Sequence, residues 1–265
     1  MEPPVSFRLR YITEGPLTFT RFTGTVVLSA LATQLGEWVH DERPRPLSVT
    51  PIFYRGRPVV DKAAVAPGEE LEFRIGVATA AAAEKILAEL RDLVLFGQRL
   101  VLKEMEFRHA YTDLPETQCF KIEFLTPLRF ATPPLMRRKK PVFEFTPRPL
   151  TLFKSVIKHA RQFGLIKLGV PFLKWVYTYV AMTDFGCYGK CVKTIKLANG
   201  GVARGFTGWA LYRAYSARRV RDMWKALRLV ETFNVGTGRA MGLGVARVTP
   251  LQCPPGGAAT TAEPI

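Results

Sequence analysis

"NVGTGRAMGLGVARV", residues 234–248, is the stretch on which the fold turns. Gly236, Gly238, Gly242 and Gly244 form a G-x-G-x-x-x-G-x-G array with Arg239 inside it. Glycine loses more backbone freedom on folding than any other residue, so an array this dense needs a reason. In a dinucleotide-binding fold the glycine turn lies between a strand and the helix that follows, and that helix N-terminus holds the pyrophosphate. Here the order is reversed. The helical stretch from Ser216 to Asn234, with Val220, Met223, Trp224, Leu227 and Val230 on one face and Ser216 as its N-cap, comes first, and the strand-like "GLGVARV" comes last. No Gly-Lys-Ser/Thr follows the array, which excludes a P-loop. A helix C-cap with a bulged turn needs one or two glycines. Four point to a loop whose backbone approaches a ligand, with Arg239 as an electrostatic contact.

Upstream, the periodicities set the class. "PVSFRLRYI" alternates with Val5, Phe7 and Leu9 on one face, and "GEELEFRIGVAT" repeats the pattern with Leu71, Phe73, Ile75 and Val77. Val27, Leu28, Leu31, Leu35 and Trp38 predict an amphipathic helix from Thr25 to Trp38, and "AAAAEKILAELRDLVL" predicts another. "PLSVTPIFY" and "RLVLKEMEFRHAYT" read as extended. The order strand, helix, strand, strand, helix, strand is the ferredoxin-like split unit. From "CFKIEFLTPLRF" onward the second half repeats it. It has a basic loop at "RRKKPVFEFTPRP", a helix "LTLFKSVIKHARQFG" and more helix over 165–180. Two strands follow, joined at Asn199-Gly200-Gly201. The fold class is therefore α+β: two tandem ferredoxin-like (RRM-like) domains, 1–116 and 117–250, with a C-terminal glycine-rich loop. A proline-rich tail, 251–265, is expected to be disordered.

The charge separates the halves. Residues 1–118 carry 14 Lys+Arg against 16 Asp+Glu, and residues 119–250 carry 24 against 5. A basic field confined to one half points to a polyanion, and nucleic acid is the expected partner. No apolar run reaches membrane-spanning length, and "MEPPVSFRLR" has no secretory pattern, so a cytoplasmic protein without membrane association is expected. Cys187 and Cys191 are spaced C-x-x-x-C with no second pair or nearby histidine, so no metal site is expected. With Cys119 and Cys253 they read as buried thiols, disulfides being the alternative in a hyperthermophile. No strand carries the aromatic motif of a general RNA-recognition module.

At "VGTGRAMGLGVARV" the chain resembles the CRISPR repeat-RNA processing endoribonucleases of the repeat-associated mysterious protein (RAMP) superfamily. "FLTPLRF" (Phe124–Phe130), "GFTGWALYRA" (Gly205–Ala214) and "LATQLGEWVHD…PLSVTPIF" (Leu31–Phe53) resemble other stretches of that family. The resemblance implies a metal-independent, cofactor-free cut of CRISPR repeat RNA (pre-crRNA). The ribose 2′-hydroxyl attacks the adjacent phosphate and leaves 2′,3′-cyclic phosphate and 5′-hydroxyl ends. It implies a catalytic histidine at the junction after the first helix, which here is His40. The family's tyrosine in the first helix and its lysine just past the histidine have no counterpart. Arg43, Arg45 and Tyr54 are the candidates to complete the site, with Tyr11 and Ser48 as substitutes. Sparse acidic residues in the second half argue against a two-metal nuclease.

RNA contacts are expected from Arg137, Arg138, Lys139 and Lys140 in the basic loop, and from Lys154, Lys158 and Arg161 on the helix. Gly236, Gly238, Arg239, Gly242 and Gly244 are expected to add to them. Arg218, Arg219 and Arg221 extend this surface, and His159 lies on the same basic helix. The mature RNA would pass to subunits of an interference complex, from a monomer or homodimer. The rival reading is a non-catalytic guide-RNA-binding subunit of such a complex.

Overall fold

The computed structural model describes residues 4–36, 38–41, 44–132, 142–187, 189–198 and 200–254, without the side chains of His40 and Asp41. Arg43, the Arg137–Lys140 run, Asn199 and the tail beyond 254 lie outside the described residues.

The first half runs β1 (Val5–Thr13), β2 (Leu17–Phe19), α1 (Thr23–Leu35), α2 (Trp38–Asp41), β3 (Leu47–Val49), β4 (Phe53–Tyr54), β5 (Arg57–Pro58), β6 (Ala63–Val65), β7 (Glu70–Val77), α3 (Ala80–Glu89), β8 (Leu93–Leu95) and β9 (Gln98–His109). Its main sheet has the order β5-β4-β7-β1-β9-β8, with β3 also paired to β7. The alternation read from β1 is real: Val5, Phe7, Leu9 and Tyr11 are fully buried, while Arg8 and Arg10 face the glutamates of β7 and β9. The buried face packs on α1 and α3, with Val27, Leu31, Ala83 and Ile86 in the core.

The second half runs β10 (Cys119–Leu128), β11 (Phe130–Thr132), β12 (Val142–Glu144), α4 (Pro149–Gln162), α5 (Val170–Tyr179), β13 (Val180–Gly186), β14 (Val192–Lys196), β15 (Val202–Ala214), α6 (Val220–Phe233) and β16 (Ala246–Leu251). Its sheet order is β13-β15-β10-β16, with β14 also paired to β15. In both sheets the fourth strand of the split unit lies beside the first, and the first beside the third, as in tandem ferredoxin-like folds. Phe120 anchors the second core: its ring stacks on Tyr212 at 5.0 Å and meets Trp224 edge-on at 5.9 Å.

The structure revises several expectations. The helix from Thr25 to Trp38 stops at Leu35, because Gly36 turns the chain at φ 93°, and α2 restarts at Trp38. The helix expected over 165–180 is α5, and Val180 to Gly186 becomes an edge strand against β15. Ser216 caps a 3-10 turn, Ala217–Arg219, through Arg218 N–H at 3.4 Å, and α6 starts only at Val220. The last strand starts at Ala246, because Gly242 to Val245 stay in the loop. That strand continues to Leu251, and Cys253 is bonded to Cys119, so the described start of the tail is ordered. Cys187 and Cys191 also form a disulfide, so for all four cysteines the buried-thiol reading gives way to the disulfide alternative. Among the described residues no helix is long and apolar enough to cross a membrane.

Candidate functional site

After α6 the chain turns left-handed at Asn234, φ 59°. The buried Asn234 side-chain amide donates to the carbonyls of Val49 at 2.7 Å and Arg239 at 3.1 Å. Gly236, Gly238, Gly242 and Gly244 all follow in the left-handed region, at φ 84°, 90°, 82° and 66°. A Cβ at Gly244 would strike the Val235 carbonyl, and one at Gly236 the Arg129 carbonyl. At Gly242 it would press on Pro51 N at 3.1 Å and Gly24 Cα at 3.2 Å. Only at Gly238 would it meet side-chain ends alone, those of Leu243 and Met241. The protein's own backbone therefore accounts for the array. The expectation that one or two glycines would satisfy the fold is corrected, and the count by itself is no argument for a ligand.

What the loop does is join the halves. Thr126 Oγ1 donates to Gly242 O at 2.9 Å and accepts from Val245 N–H at 2.9 Å, while Gly244 N–H donates to Pro127 O at 3.1 Å. Across the joint, the Met241 carbonyl packs on Gly24 at the start of α1. Ser48 Oγ donates to the Thr232 carbonyl at 3.3 Å. β3 lies against the 3-10 turn Arg239–Met241. The strand directly downstream of the His40–Arg45 segment is thus held by the glycine loop.

The expected RNA contacts divide. Lys154, Lys158 and Arg161 are exposed along the outer face of α4, while Leu152, Phe153, Val156, Ile157 and Ala160 are buried beneath them. Among the described residues none of the three has a carboxylate within ion-pair distance, so their charge is available to a polyanion. Arg239 is turned inward instead. Its Nη1 donates to Ser155 O on α4 at 3.4 Å, and burial pushes its guanidinium down to about 10. It reaches the right helix from the protein side.

His159 is corrected too. It is buried between Phe163 and Phe233, with centroids at 5.2 and 5.1 Å, so it is no RNA contact. Burial, then the Arg239 charge, pushes its imidazole down to about 3. An unfolded histidine titrates near 6.5, so below that pH the unfolded chain takes up a proton that the folded chain refuses. Stability is therefore full above pH ~6.5 and is lost as pH falls toward 3. The His159 contribution to the loss between pH 6.5 and 5 should be about 1–2 kcal/mol. Urea unfolding of the wild type and His159→Leu at both pH values checks this. Parallel pH dependences would refute it.

Around His40 the backbone is firmly placed. Val39 is fully buried, Trp38 Nε1 donates to Leu35 O at 2.7 Å, and Lys85 Nζ lies 5.4 Å from the Trp38 ring centroid. Arg45 is half-buried beside Pro46, whose carbonyl accepts from Ala78 N–H at 2.7 Å. Tyr54 is not brought to this end: it pairs with Leu71, six residues back along β7 from Val77, about 20 Å away at the rise of a strand. Its ring carries Arg55 at 5.0 Å. Tyr11 and Ser48 are structural: Tyr11 stacks on Phe73 with its phenol pKa raised by burial, and Ser48 holds Thr232. His109 does stand at the Arg45 end, since Val5 pairs with both Val77 and His109. The reading from sequence placed the β14–β15 hairpin but assigned none of its cations to RNA, and Lys193, Lys196 and Arg204 are exposed there. The three lysines of "KCVKTIK", Lys190, Lys193 and Lys196, were their signal.

The sequence pattern of the family described as CRISPR-associated endoribonuclease Cas6 matches residues 122–246. No curated protein matches the chain by sequence. Among solved structures, a Cas6 product complex aligns at TM-score 0.66 and 16% identity, covering 92% of this chain and 99% of that one. Thermus thermophilus Cas6 aligns at 0.65 and 17%, covering 93% and 98%. A Cas6-related protein from Pyrococcus furiosus aligns at 0.62 and 10%, covering 93% and 99%. The second half of the chain thus carries the sequence pattern of the CRISPR-associated endoribonuclease Cas6 family, and nearly its whole length shares the fold of solved Cas6 structures.

Proposed function

We propose that this protein binds CRISPR repeat RNA and cuts it to guide length without a metal ion. The observation that carries the reading is the junction: Asn234 ties the glycine loop to β3, the strand directly after His40 and Arg45. The candidate catalytic segment and the basic half therefore move as one body. In the proposed step the ribose 2′-hydroxyl loses its proton and its oxygen bonds to the adjacent phosphorus. The 5′ oxygen leaves with a proton, giving 2′,3′-cyclic phosphate and 5′-hydroxyl ends. His40 serves as general base or acid. Arg45, with Arg43, offsets the charge that builds on the phosphorane, a role a guanidinium fills although it is a poor proton donor. Tyr54 has no part in this assignment. Lys154, Lys158 and Arg161 hold the RNA backbone together with the Arg137–Lys140 run, in the cytoplasm, and the product passes to an interference complex.

The test is incubation of the wild type with repeat RNA from the source genome in excess EDTA. One cut site with cyclic phosphate and 5′-hydroxyl ends is expected. A 5′-phosphate product, or cutting only with added divalent ion, would refute the mechanism. Tight binding without cutting would favour the non-catalytic guide-RNA-binding subunit, a reading supported by the absence of tyrosine from α1.

A further inference from the structure

A cleft of about 350 Å³ opens between α5 and the turn Ala217–Arg219, away from the glycine loop in sequence and unused by the proposed cut. Its floor is Trp175, 6% exposed, whose indole N–H meets no acceptor among the described residues. One wall is the ring of Tyr179, 6.4 Å from that of Trp175 and 43% exposed. Tyr215, 60% exposed, stands next to it, its N–H donating to the Tyr179 carbonyl at 2.8 Å. Lys174, Arg218 and Arg219 line the same cleft. Among the described residues Asp222 is the carboxylate that reaches one of them, at 3.6 Å from Arg219.

Tyrosines left exposed next to cations are the mark of a surface that meets a ligand rather than of a core. Interleaved aromatic and cationic groups suit unpaired nucleotides, whose bases have free faces to stack while their phosphates need positive charge. A duplex hides its bases and would use only the cations. We propose that this cleft takes an unpaired nucleotide of the RNA. The base stacks on Tyr179 or Tyr215, and the phosphate lies among Lys174, Arg218 and Arg219. The inference rests on the reading that RNA is the ligand, and it adds that part of that RNA is bound single-stranded, at a place separate from the cut.

The test compares a ten-nucleotide oligouridylate with an RNA duplex of the same length, by fluorescence anisotropy on the full chain. The Tyr179→Ala/Tyr215→Ala variant should bind the oligouridylate about ten-fold more weakly, since stacking of a base on one aromatic ring is worth that much or more. Its affinity for the duplex should stay near that of the wild type. The Tyr179→Phe/Tyr215→Phe variant should restore oligouridylate binding, because phenylalanine stacks without the hydroxyl and a misfolded cleft would not be rescued. Equal losses on both RNAs, or none on either, would overturn the assignment, the latter leaving the cleft to a protein partner. EDTA-resistant cleavage of repeat RNA, read in the same proteins, separates the two failures. Cutting without this binding difference sinks only the cleft, whereas no cutting and no binding sinks the RNA reading as well.

Discussion

Gly244→Ala is expected to destabilise the protein by about 3–5 kcal/mol and to lower its Tm by roughly 10 °C. Two causes add. At φ 66° any side chain costs about 1–2 kcal/mol of left-handed backbone strain. In addition the new methyl would collide with the Val235 carbonyl, whose residue is bonded to Gly244 through Val235 N–H at 2.9 Å. The loop has to shift, which breaks that bond and the Gly244 N–H bond to Pro127, at about 1 kcal/mol each. Leu243 and Val245, both buried, are then pulled from their places. Two other glycines separate the causes. Gly68 has φ 81° with open space around it, so Gly68→Ala shows the strain alone. Gly238→Ala adds only the yielding ends of Leu243 and Met241. The expected order of loss is Gly244, then Gly238, then Gly68, read from thermal unfolding. If Gly244→Ala and Gly68→Ala unfold at the same temperature, close approach is not what the array is for. Because the loop clasps β3, Gly244→Ala should also lower RNA cleavage below its melting temperature, in step with the loosened joint.

The comparison of these glycines shows where sequence reading reached its limit. Everything set by local period was legible. The alternation of β1 and β7, the apolar stripes of α1 and α6, and the helix-before-array order follow from side-chain spacing, and they were enough to reach the tandem ferredoxin-like fold. What failed depends on residues far apart in the chain. Gly236 is demanded by Arg129, Gly242 by Pro51 and Gly24, and Cys119 meets Cys253 across 134 positions. No local pattern encodes those meetings, so a fold requirement was read as a ligand requirement. The course of Arg239, toward Ser155 on α4, is set by a distant partner in the same way. His159 is different, because its signal was present. It follows Leu152 by seven and Val156 by three, the spacing of the buried face, and that spacing outweighs the charge of its neighbours. Val180–Gly186 failed because a short run of mixed residues at a sheet edge has no distinct period.

His40→Ala is expected to slow repeat-RNA cleavage by about 10²–10⁴ while leaving RNA affinity near that of the wild type, since general acid–base transfer supplies a factor of that size. The argument is one of placement. α2 is anchored just ahead of His40, by the buried Val39 and by the Trp38 indole bonded to Leu35. The chain leaving it enters β3, which Asn234 and Ser48 fasten to the second half. The cations assigned to binding, Lys154, Lys158 and Arg161, lie on α4 in that half, so truncating His40 removes none of the charge that holds RNA. Histidine changes charge near neutral pH and can both accept and return a proton, and neither arginine of the segment can. His109 supplies the contrast. It is exposed at the same end of the sheet, across Val5 from Val77, in the position that a rival general base would need. His109→Ala should cut near the wild-type rate. Single-turnover rates for the two variants, measured in EDTA at saturating protein, decide between the histidines. A slow His109→Ala beside a normal His40→Ala would move the chemistry three strands across the sheet from Leu47 and away from α2.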